Sequence, residues 1–331
     1  MAEIPDPADS QPRDDVDPDV RRFHRLVSAG FARHADFDRL PRSHARRIAE
    51  EVRRPWTRGG PVMRGTAELQ IGELGTRVRV HRPTDTAALP TLIYLHGGGW
   101  TLFSLDTHDR VMREYAARAG MAVVGVDYSL SPEHRFPRAL DECVAVVAAL
   151  RRGEGGAAID VGRLAIGGDS AGANLAVATN LRLRDAGAPV LGGMLLNYGA
   201  YDRGHTASYR RFDGDRYMLT VEEMDGFWRN YLGSELERAG PLACPLQADL
   251  RGLPSAFLAI AECDILADQS RLMADRLRAA GVRVESHVYR GATHSFLESV
   301  SISALASRAF DDAAQWLRMT LAPRDSHGRP V

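Results

Sequence analysis

The sequence predicts an α/β fold in which helices cover a mostly parallel β-sheet. Continuous apolar runs at residues 91–95, 121–126 and 164–168 are typical of strands that are buried on both faces. Stretches with helical periodicity separate these runs, and such alternation of strands and helices favours parallel pairing. The chain has 331 residues, of which 44% are hydrophobic, so it is long enough to enclose one large core.

The N-terminal part of the chain differs from the rest. Residues 1–19 are rich in aspartate and proline, which predicts a disordered acidic tail. Residues 20–60 repeat apolar side chains at helical spacing, so we expect two helices that pack over the sheet rather than within it. Residues 67–71 and 76–81 alternate apolar and polar side chains around a Gly-Glu-Leu-Gly turn, which predicts an antiparallel hairpin.

The alternation of strands and helices is interrupted once. Residues 198–250 are polar and aromatic with one clear helical pattern at 221–231, which predicts an insertion rather than a separate domain. The core is therefore assigned to residues 61–197 and 251–325. Its other elements are predicted to be helices at 107–119, 139–150, 171–183, 270–280 and 302–319, and strands at 191–196, 256–261 and 282–289.

Composition and charge argue against several classes of function. The net charge of −1 disfavours a nucleic acid or an anionic membrane surface as partner. No apolar run is long enough to span a membrane. The three cysteines are scattered, which favours free thiols in a reducing cytoplasm over disulfides. Histidine and acidic residues show no metal-ligand spacing, so neither a metal nor another cofactor is predicted.

Ser170 is the predicted nucleophile. It lies in the string Gly168-Asp169-Ser170-Ala171-Gly172, which follows an apolar run and opens a helical pattern. A Gly-x-Ser-x-Gly string alone is most often an ordinary loop. Between a strand and a helix, however, it is typical of the sharp turn that projects a serine hydroxyl out of the edge of a sheet.

A serine nucleophile needs a base beside it, and the base needs an orienting group. Asp264 and His294 each follow a predicted strand, where open α/β sheets place their sites. Each also has an ordinary alternative, because strand-end aspartates often cap the next helix and lone loop histidines are often surface residues. The order serine, acid, histidine, with each residue after a strand, favours a catalytic role for all three.

The glycine run Gly97-Gly98-Gly99 follows the predicted strand at 91–95. Acyl transfer needs backbone amides for the oxyanion, and a loop without side chains can turn its N–H groups inward. The amide of Ala171, directly after the serine, would add a further donor. The alternative is a phosphate cradle, but the run lacks the ending of a P-loop and the spacing of a dinucleotide fingerprint.

Together these residues resemble the hormone-sensitive-lipase-like branch of the α/β-hydrolases, the bacterial acetyl esterases in particular. The resemblance covers about residues 64–317 and implies an eight-stranded sheet whose second strand is antiparallel. It also implies a helical cap made from residues 20–60 and 198–250. The matching strings are His96-Gly97-Gly98-Gly99-Trp100, Asp127-Tyr128-Ser129-Leu130-Ser131-Pro132-Glu133, Phe136-Pro137, Gly168-Asp169-Ser170-Ala171-Gly172-Ala173-Asn174, Asp264-Ile265-Leu266-Ala267-Asp268 and His294-Ser295-Phe296.

The resemblance implies a serine carboxylesterase that hydrolyses short-chain, acetyl-type esters. Ser170 would be the nucleophile, His294 the base and Asp264 the orienting acid. The implied oxyanion donors are the amides of Gly98, Gly99 and Ala171. One departure from the family pattern is Ser295, which replaces the glycine usual after the histidine and could change the loop that holds it.

Trp100, Phe103 and Trp228 are expected to line the substrate entrance, and packing of the cap is the equal alternative for these rings. The expected partner is a small-molecule ester, and a homodimer is the assembly considered. Two other functions stay open. The chain could deacetylate an acetylated natural product in a biosynthetic pathway, or it could bind a ligand on the same fold without hydrolysis.

Overall fold

An eight-stranded sheet forms the centre of the computed structural model, which describes residues 15–34, 36–234 and 240–323. The strands are β1 Gly65–Ile71, β2 Thr76–Arg82, β3 Leu89–Leu95, β4 Ala122–Val126, β5 Ile159–Asp169, β6 Met194–Asn197, β7 Ala256–Cys263 and β8 Val284–Thr293. Their spatial order is β1-β2-β4-β3-β5-β6-β7-β8. Strand β2 is antiparallel to both neighbours, and the pairs from β4 to β8 are parallel. The predicted sheet is therefore confirmed, including its antiparallel second strand.

Helices cover both faces of this sheet, and others pack near the carboxyl ends of its strands. The helices of the described residues are α1 Pro18–Phe31, α2 Arg42–Thr57, α3 Asp109–Ala119, α4 Arg138–Arg151, α5 Ala171–Asp185, α6 Ala207–Arg211, α7 Val221–Leu232, α8 Ala267–Ala279 and α9 Ala304–Thr320. Right-handed crossovers place α4, α5 and α8 on one face and α3 on the other, where α3 packs against α9. All five residues of β4 are consequently buried. Among the described residues, no helix combines the length and apolar character that crossing a lipid bilayer requires.

Two regions outside the alternating core pack near the carboxyl ends of the parallel strands. Helices α1 and α2 contact each other and the 3-10 helix Phe296–Ser301, which follows β8. The insertion after β6 carries α6 and α7. Helix α7 begins with a capping box, in which Thr220 Oγ1 accepts the Glu223 amide and Glu223 accepts the Thr220 amide. That these regions together form a cap stays a prediction.

The first described residues differ from the predicted boundary of the tail at residue 19. Residues 1–14 of the predicted acidic tail lie outside the described residues, but 15–19 belong to the structure. Helix α1 begins at Pro18, and the Asp17 side chain caps it by accepting the amides of Asp19 and Val20. Val16 is 2% exposed, so this segment buries an apolar side chain. The acidic residues around Val16 give no sign of this burial in the sequence.

Several further boundaries differ from the pattern-based expectation, among them the end of β8 at Thr293 rather than at 289 and the start of α8 at Ala267 rather than at 270. Strand β5 begins at Ile159 rather than at 164, because Ile159 pairs with Leu89 ahead of a register shift between β3 and β5. The sequence pattern does not predict the 3-10 helix Phe296–Ser301. Because of this extra turn the last helix begins at Ala304 rather than at 302, and the Ser303 side chain caps it by accepting the Ala306 amide. This extra turn matters for the site because it directly follows His294.

Candidate active site

Ser170 occupies a sharp turn between β5 and α5. Its backbone has φ 54° and ψ −117°, a conformation that costs energy for a residue with a side chain and recurs at functional sites. A Cβ atom at Gly168 or at Gly172 would overlap the carbonyl oxygen of Leu95 at the end of β3. Glycine is therefore required at both positions, and the turn can pass close to β3 while it carries the serine at the sheet edge.

The structure brings His294 and Asp264 to this serine. His294, at the end of β8, lies with Nε2 3.0 Å from Ser170 Oγ and with Nδ1 2.7 Å from Asp264 Oδ2. Asp264 follows β7, and its other oxygen accepts the Leu266 amide at 2.9 Å. The three side chains thus form one continuous hydrogen-bonded chain. Ser170 and His294 are each 6% exposed and Asp264 is 1% exposed, so water has little access to this hydrogen-bonded chain.

The surrounding charges favour the protonated form of His294. Burial by itself lowers the pKa of the imidazole, since it disfavours a charge. The charge and hydrogen bond of Asp264, together with the charge of Asp169, outweigh burial and the opposing charge of Arg53. The pKa of His294 is therefore raised above its ordinary value, and an imidazolium that forms during a reaction is stabilised.

The glycine loop after β3 leaves two amides without a partner. Gly98 and Gly99 have φ of 110° and 58°, which only glycine adopts readily, and the Gly98 carbonyl accepts the amides of Thr101 and Leu102. Among the described residues, no acceptor engages the N–H groups of Gly98, Gly99 or Ala171. Three unpaired backbone donors are therefore available, one directly after the serine and two in the loop that the residue before the serine binds through the Gly97 amide, as an oxyanion site requires.

Asp169 is a site residue that the sequence reasoning missed. Its Oδ1 accepts the Gly97 amide at 3.1 Å and the Tyr94 hydroxyl at 2.7 Å, and its Oδ2 accepts His108 Nε2–H at 3.3 Å. Burial by itself raises the pKa of Asp169, but the charge and hydrogen bond of His108, the hydrogen bond of Tyr94 and the charge of His96 together outweigh burial, so the pKa is lowered. Through its hydrogen bond to the Gly97 amide, the carboxylate of Asp169 anchors the glycine loop beside Ser170. A charged residue at the end of an otherwise apolar strand was the signal that could have revealed it.

Trp100 and Trp228 do not line an open entrance. The Trp100 ring stacks on Tyr231 with 4.2 Å between centroids and contacts Trp228 at 4.6 Å. Trp100 and Trp228 are 0% and 2% exposed, so the expectation of an entrance lining is corrected to packing between the glycine loop and α7. The backbone of Trp100 has a positive φ of 55°, which directs its side chain toward α7.

Two phenylalanines instead pack against the glycine loop. A Cβ built on Gly99 would overlap the ring of Phe227 from α7, and one built on Gly98 would lie 2.8 Å from Phe103 Cδ2. Phe103 is partly exposed, and the Arg53 guanidinium lies 4.9 Å from its ring centre. Of the three predicted entrance residues, Phe103 is thus the one that keeps an exposed surface beside the loop.

Comparison with known proteins gives the same assignment from independent data. Residues 92–298 match the family described as alpha/beta hydrolase fold. An acetyl esterase from Salmonella paratyphi B is 39% identical over 272 residues, which are 80% of this chain and 83% of that protein. The acetyl esterase from Salmonella choleraesuis is 38% identical over 270 residues, with the same shares of the two chains.

Solved structures agree with these sequence relatives. The Pyrobaculum calidifontis esterase has a TM-score of 0.84 and 31% identity over 93% of this chain and 100% of its own. A thermostable esterase from Pseudomonas putida has a TM-score of 0.87 and 29% identity over 95% of this chain and 100% of its own. The chain therefore belongs to the hormone-sensitive-lipase-like α/β-hydrolase fold family and is a carboxylic ester hydrolase.

Proposed function

We propose that the protein hydrolyses short-chain acyl esters, acetyl esters above all, with Ser170, His294 and Asp264 as its catalytic triad. The observation that carries this proposal is the unbroken hydrogen-bonded chain from Asp264 through His294 to the Ser170 hydroxyl. The relatives named acetyl esterases support the choice of acyl group. A homodimeric assembly and a cytoplasmic location stay predictions.

The proposed reaction is a two-step acyl transfer. Ser170 Oγ attacks the ester carbonyl carbon while His294 Nε2 accepts the hydroxyl proton, and Asp264 holds the opposite nitrogen in the protonated form. The amides of Gly98, Gly99 and Ala171 donate to the oxyanion that develops. The C–O bond then breaks, and the alcohol leaves with the proton from His294. Water, deprotonated by His294, releases the acyl group and restores the serine.

The two phenylalanines beside the oxyanion amides support a short acyl chain. Phe227 packs on Gly99 and Phe103 packs beside Gly98, so two aromatic rings border the loop that carries the proposed oxyanion amides. An extra methylene in an apolar pocket changes the rate by roughly 10- to 200-fold when the fit decides specificity. We therefore expect the rate of hydrolysis to depend strongly on the length of the acyl chain.

We expect kcat/KM for p-nitrophenyl esters to be highest for acetate and to fall through butyrate, hexanoate and octanoate. Phe227→Ala removes the ring over Gly99 and should shift the optimum to a longer acyl chain. Phe37→Ala is the matched control, since its ring packs on Phe31 in another part of the chain. A wild-type profile that rises with chain length would contradict the proposed acyl preference.

The raised pKa of His294 predicts the acid limb of the pH profile. His294 must be neutral to accept the serine proton, so kcat/KM decreases as the pH falls through this pKa. Because the pKa is raised, the midpoint of that decrease should lie above the ordinary histidine value of about 6.5. Initial rates measured across the pH range at low substrate concentration test this, and a midpoint below that value would be the contrary result.

A further inference from the structure

A short segment that precedes α1, residues 15–17, lies across the ends of β7 and β8. We call it the strap. The Asp17 amide donates to the Gly291 carbonyl at 2.9 Å, and the Cys263 thiol donates to the Asp15 carbonyl at 3.5 Å. Val16, between these two contacts, is 2% exposed. The strap therefore touches the residue that precedes Asp264 and the strand end that leads to His294.

Gly291 is shaped for this contact. Its φ is 77°, and a Cβ atom there would lie 2.7 Å from the Asp17 nitrogen and 3.2 Å from the Asp15 carbonyl oxygen. Only glycine lets the strap backbone approach so closely. The Gly291 amide also donates to Glu262 Oε2 at 3.0 Å, so the ends of β7 and β8 and the strap form one connected layer.

The strap also reaches the elements that cover the site. The Asp15 carboxylate accepts hydrogen bonds from Arg216 at 2.9 Å and from the Tyr217 hydroxyl at 3.2 Å, both in the insertion after β6. The Asp17 side chain caps α1, and the Val16 carbonyl accepts Arg21 Nη2–H at 2.8 Å. The strap is thus a junction between α1, the insertion and the two loops that present the acid and the base.

We propose that Asp15, Val16 and Asp17 are positioning residues for ester hydrolysis, which hold the ends of β7 and β8 so that Asp264 and His294 keep their alignment with Ser170. The inference rests on the proposed triad. Asp264 and His294 come from separate loops, and their 2.7 Å hydrogen bond spans the gap between them. A relative displacement of those loops by about 1 Å can reduce catalysis by roughly 100-fold.

Cys263 provides a reporter for the strap. It is 1% exposed, and burial together with the charges of Asp15 and Glu262 raises the pKa of its thiol to about 12. Reaction with an alkylating reagent is therefore slow while the strap is in place. Cys143 and Cys244 are also buried, and their alkylation would report a general loss of structure instead.

The test compares full-length variants at Val16. Val16→Asp should make Cys263 react with iodoacetamide while Cys143 and Cys244 stay protected. It should also lower kcat for p-nitrophenyl acetate by up to about 100-fold with little change in KM. The low-field proton resonance of the His294–Asp264 hydrogen bond should weaken in the same variant. Val16→Leu should behave as wild type, and Val62→Asp, at a valine that is 92% exposed, is the matched control.

Val16→Ala buries no charge and should give the same changes at smaller amplitude. The loss of kcat and the reactivity of Cys263 should therefore increase from Val16→Leu through Val16→Ala to Val16→Asp. A reactive Cys263 with unchanged kcat and unchanged proton resonance would overturn the proposal, and so would a protected Cys263 with wild-type kcat in Val16→Asp. Labelling and the resonance need no turnover. They therefore separate a failure of the strap from a failure of the proposed esterase function, which would show as absent hydrolysis in the wild-type protein.

Discussion

Ser170→Ala is expected to reduce hydrolysis of p-nitrophenyl acetate by at least about 10⁴-fold, because within the described part of the chain the only hydroxyl hydrogen-bonded to His294 Nε2 is that of Ser170, at 3.0 Å. The substitution removes one buried oxygen and leaves the turn, whose shape depends on Gly168 and Gly172. Steady-state rates of the purified variant measure the effect, with circular dichroism to verify that the protein is folded.

Two controls sharpen this test. Ser301→Ala removes an exposed serine at the end of the 3-10 helix Phe296–Ser301 and should leave the rate unchanged. A fluorophosphonate probe should label Ser170 in the wild-type protein and should not label Ser170→Ala. Turnover that persists in Ser170→Ala would show that Ser170 is not the nucleophile. A wild-type protein that is not labelled by the probe would favour a ligand-binding role without covalent chemistry.

Asp264→Asn is expected to lower kcat by about 10⁴-fold although it changes the shape of the site very little. Asp264 uses one oxygen for the Leu266 amide and the other for His294 Nδ1–H. Asparagine has a single acceptor oxygen. If that oxygen keeps the Leu266 amide, the NH₂ group faces Nδ1 and the ring must carry its proton on Nε2. In that tautomer the imidazole cannot accept the serine proton.

Asp268→Asn is the control for this substitution. Asp268 lies one turn further on, where it accepts the Ser208 amide at 2.8 Å and pairs with Arg271 at 3.0 Å, so its replacement should affect stability more than rate. The residual activity of Asp264→Asn should also show an acid limb at lower pH, because the charge that raises the pKa of His294 is gone. Equal rates for the two variants would contradict the role proposed for Asp264.

The sheet and the arrangement of the site were predictable because their signals are local. A buried strand needs a continuous apolar run, and a turn that passes a neighbouring strand needs glycine, as at Gly168 and Gly172. Each such signal lies within a few neighbouring residues. The parallel pairing of β5, β7 and β8 with their neighbours then places Ser170, Asp264 and His294 at one edge of the sheet.

The features that escaped prediction depend on partners far apart along the chain. The Asp17 amide meets a carbonyl at Gly291, and Asp169 meets His108, whose position in the sequence carries no mark of that contact. The burial of Trp100 follows from a backbone turn at φ 55° and from the position of α7, not from its own neighbours. Such contacts are set by the assembled core, and single-residue patterns do not encode them.

The carboxylate of Asp169 has a consequence for how this enzyme can diversify. It directly precedes Ser170 and accepts the Gly97 amide, so the residue before the proposed nucleophile is linked by a direct hydrogen bond to the loop that carries the proposed oxyanion amides. Helix α7, with Phe227, comes from the insertion after β6 and packs against that loop. We therefore expect substitutions in α7 to change which esters are accepted while the hydrogen bond between Asp169 and the glycine loop stays in place, so selectivity can diversify without any change at Ser170.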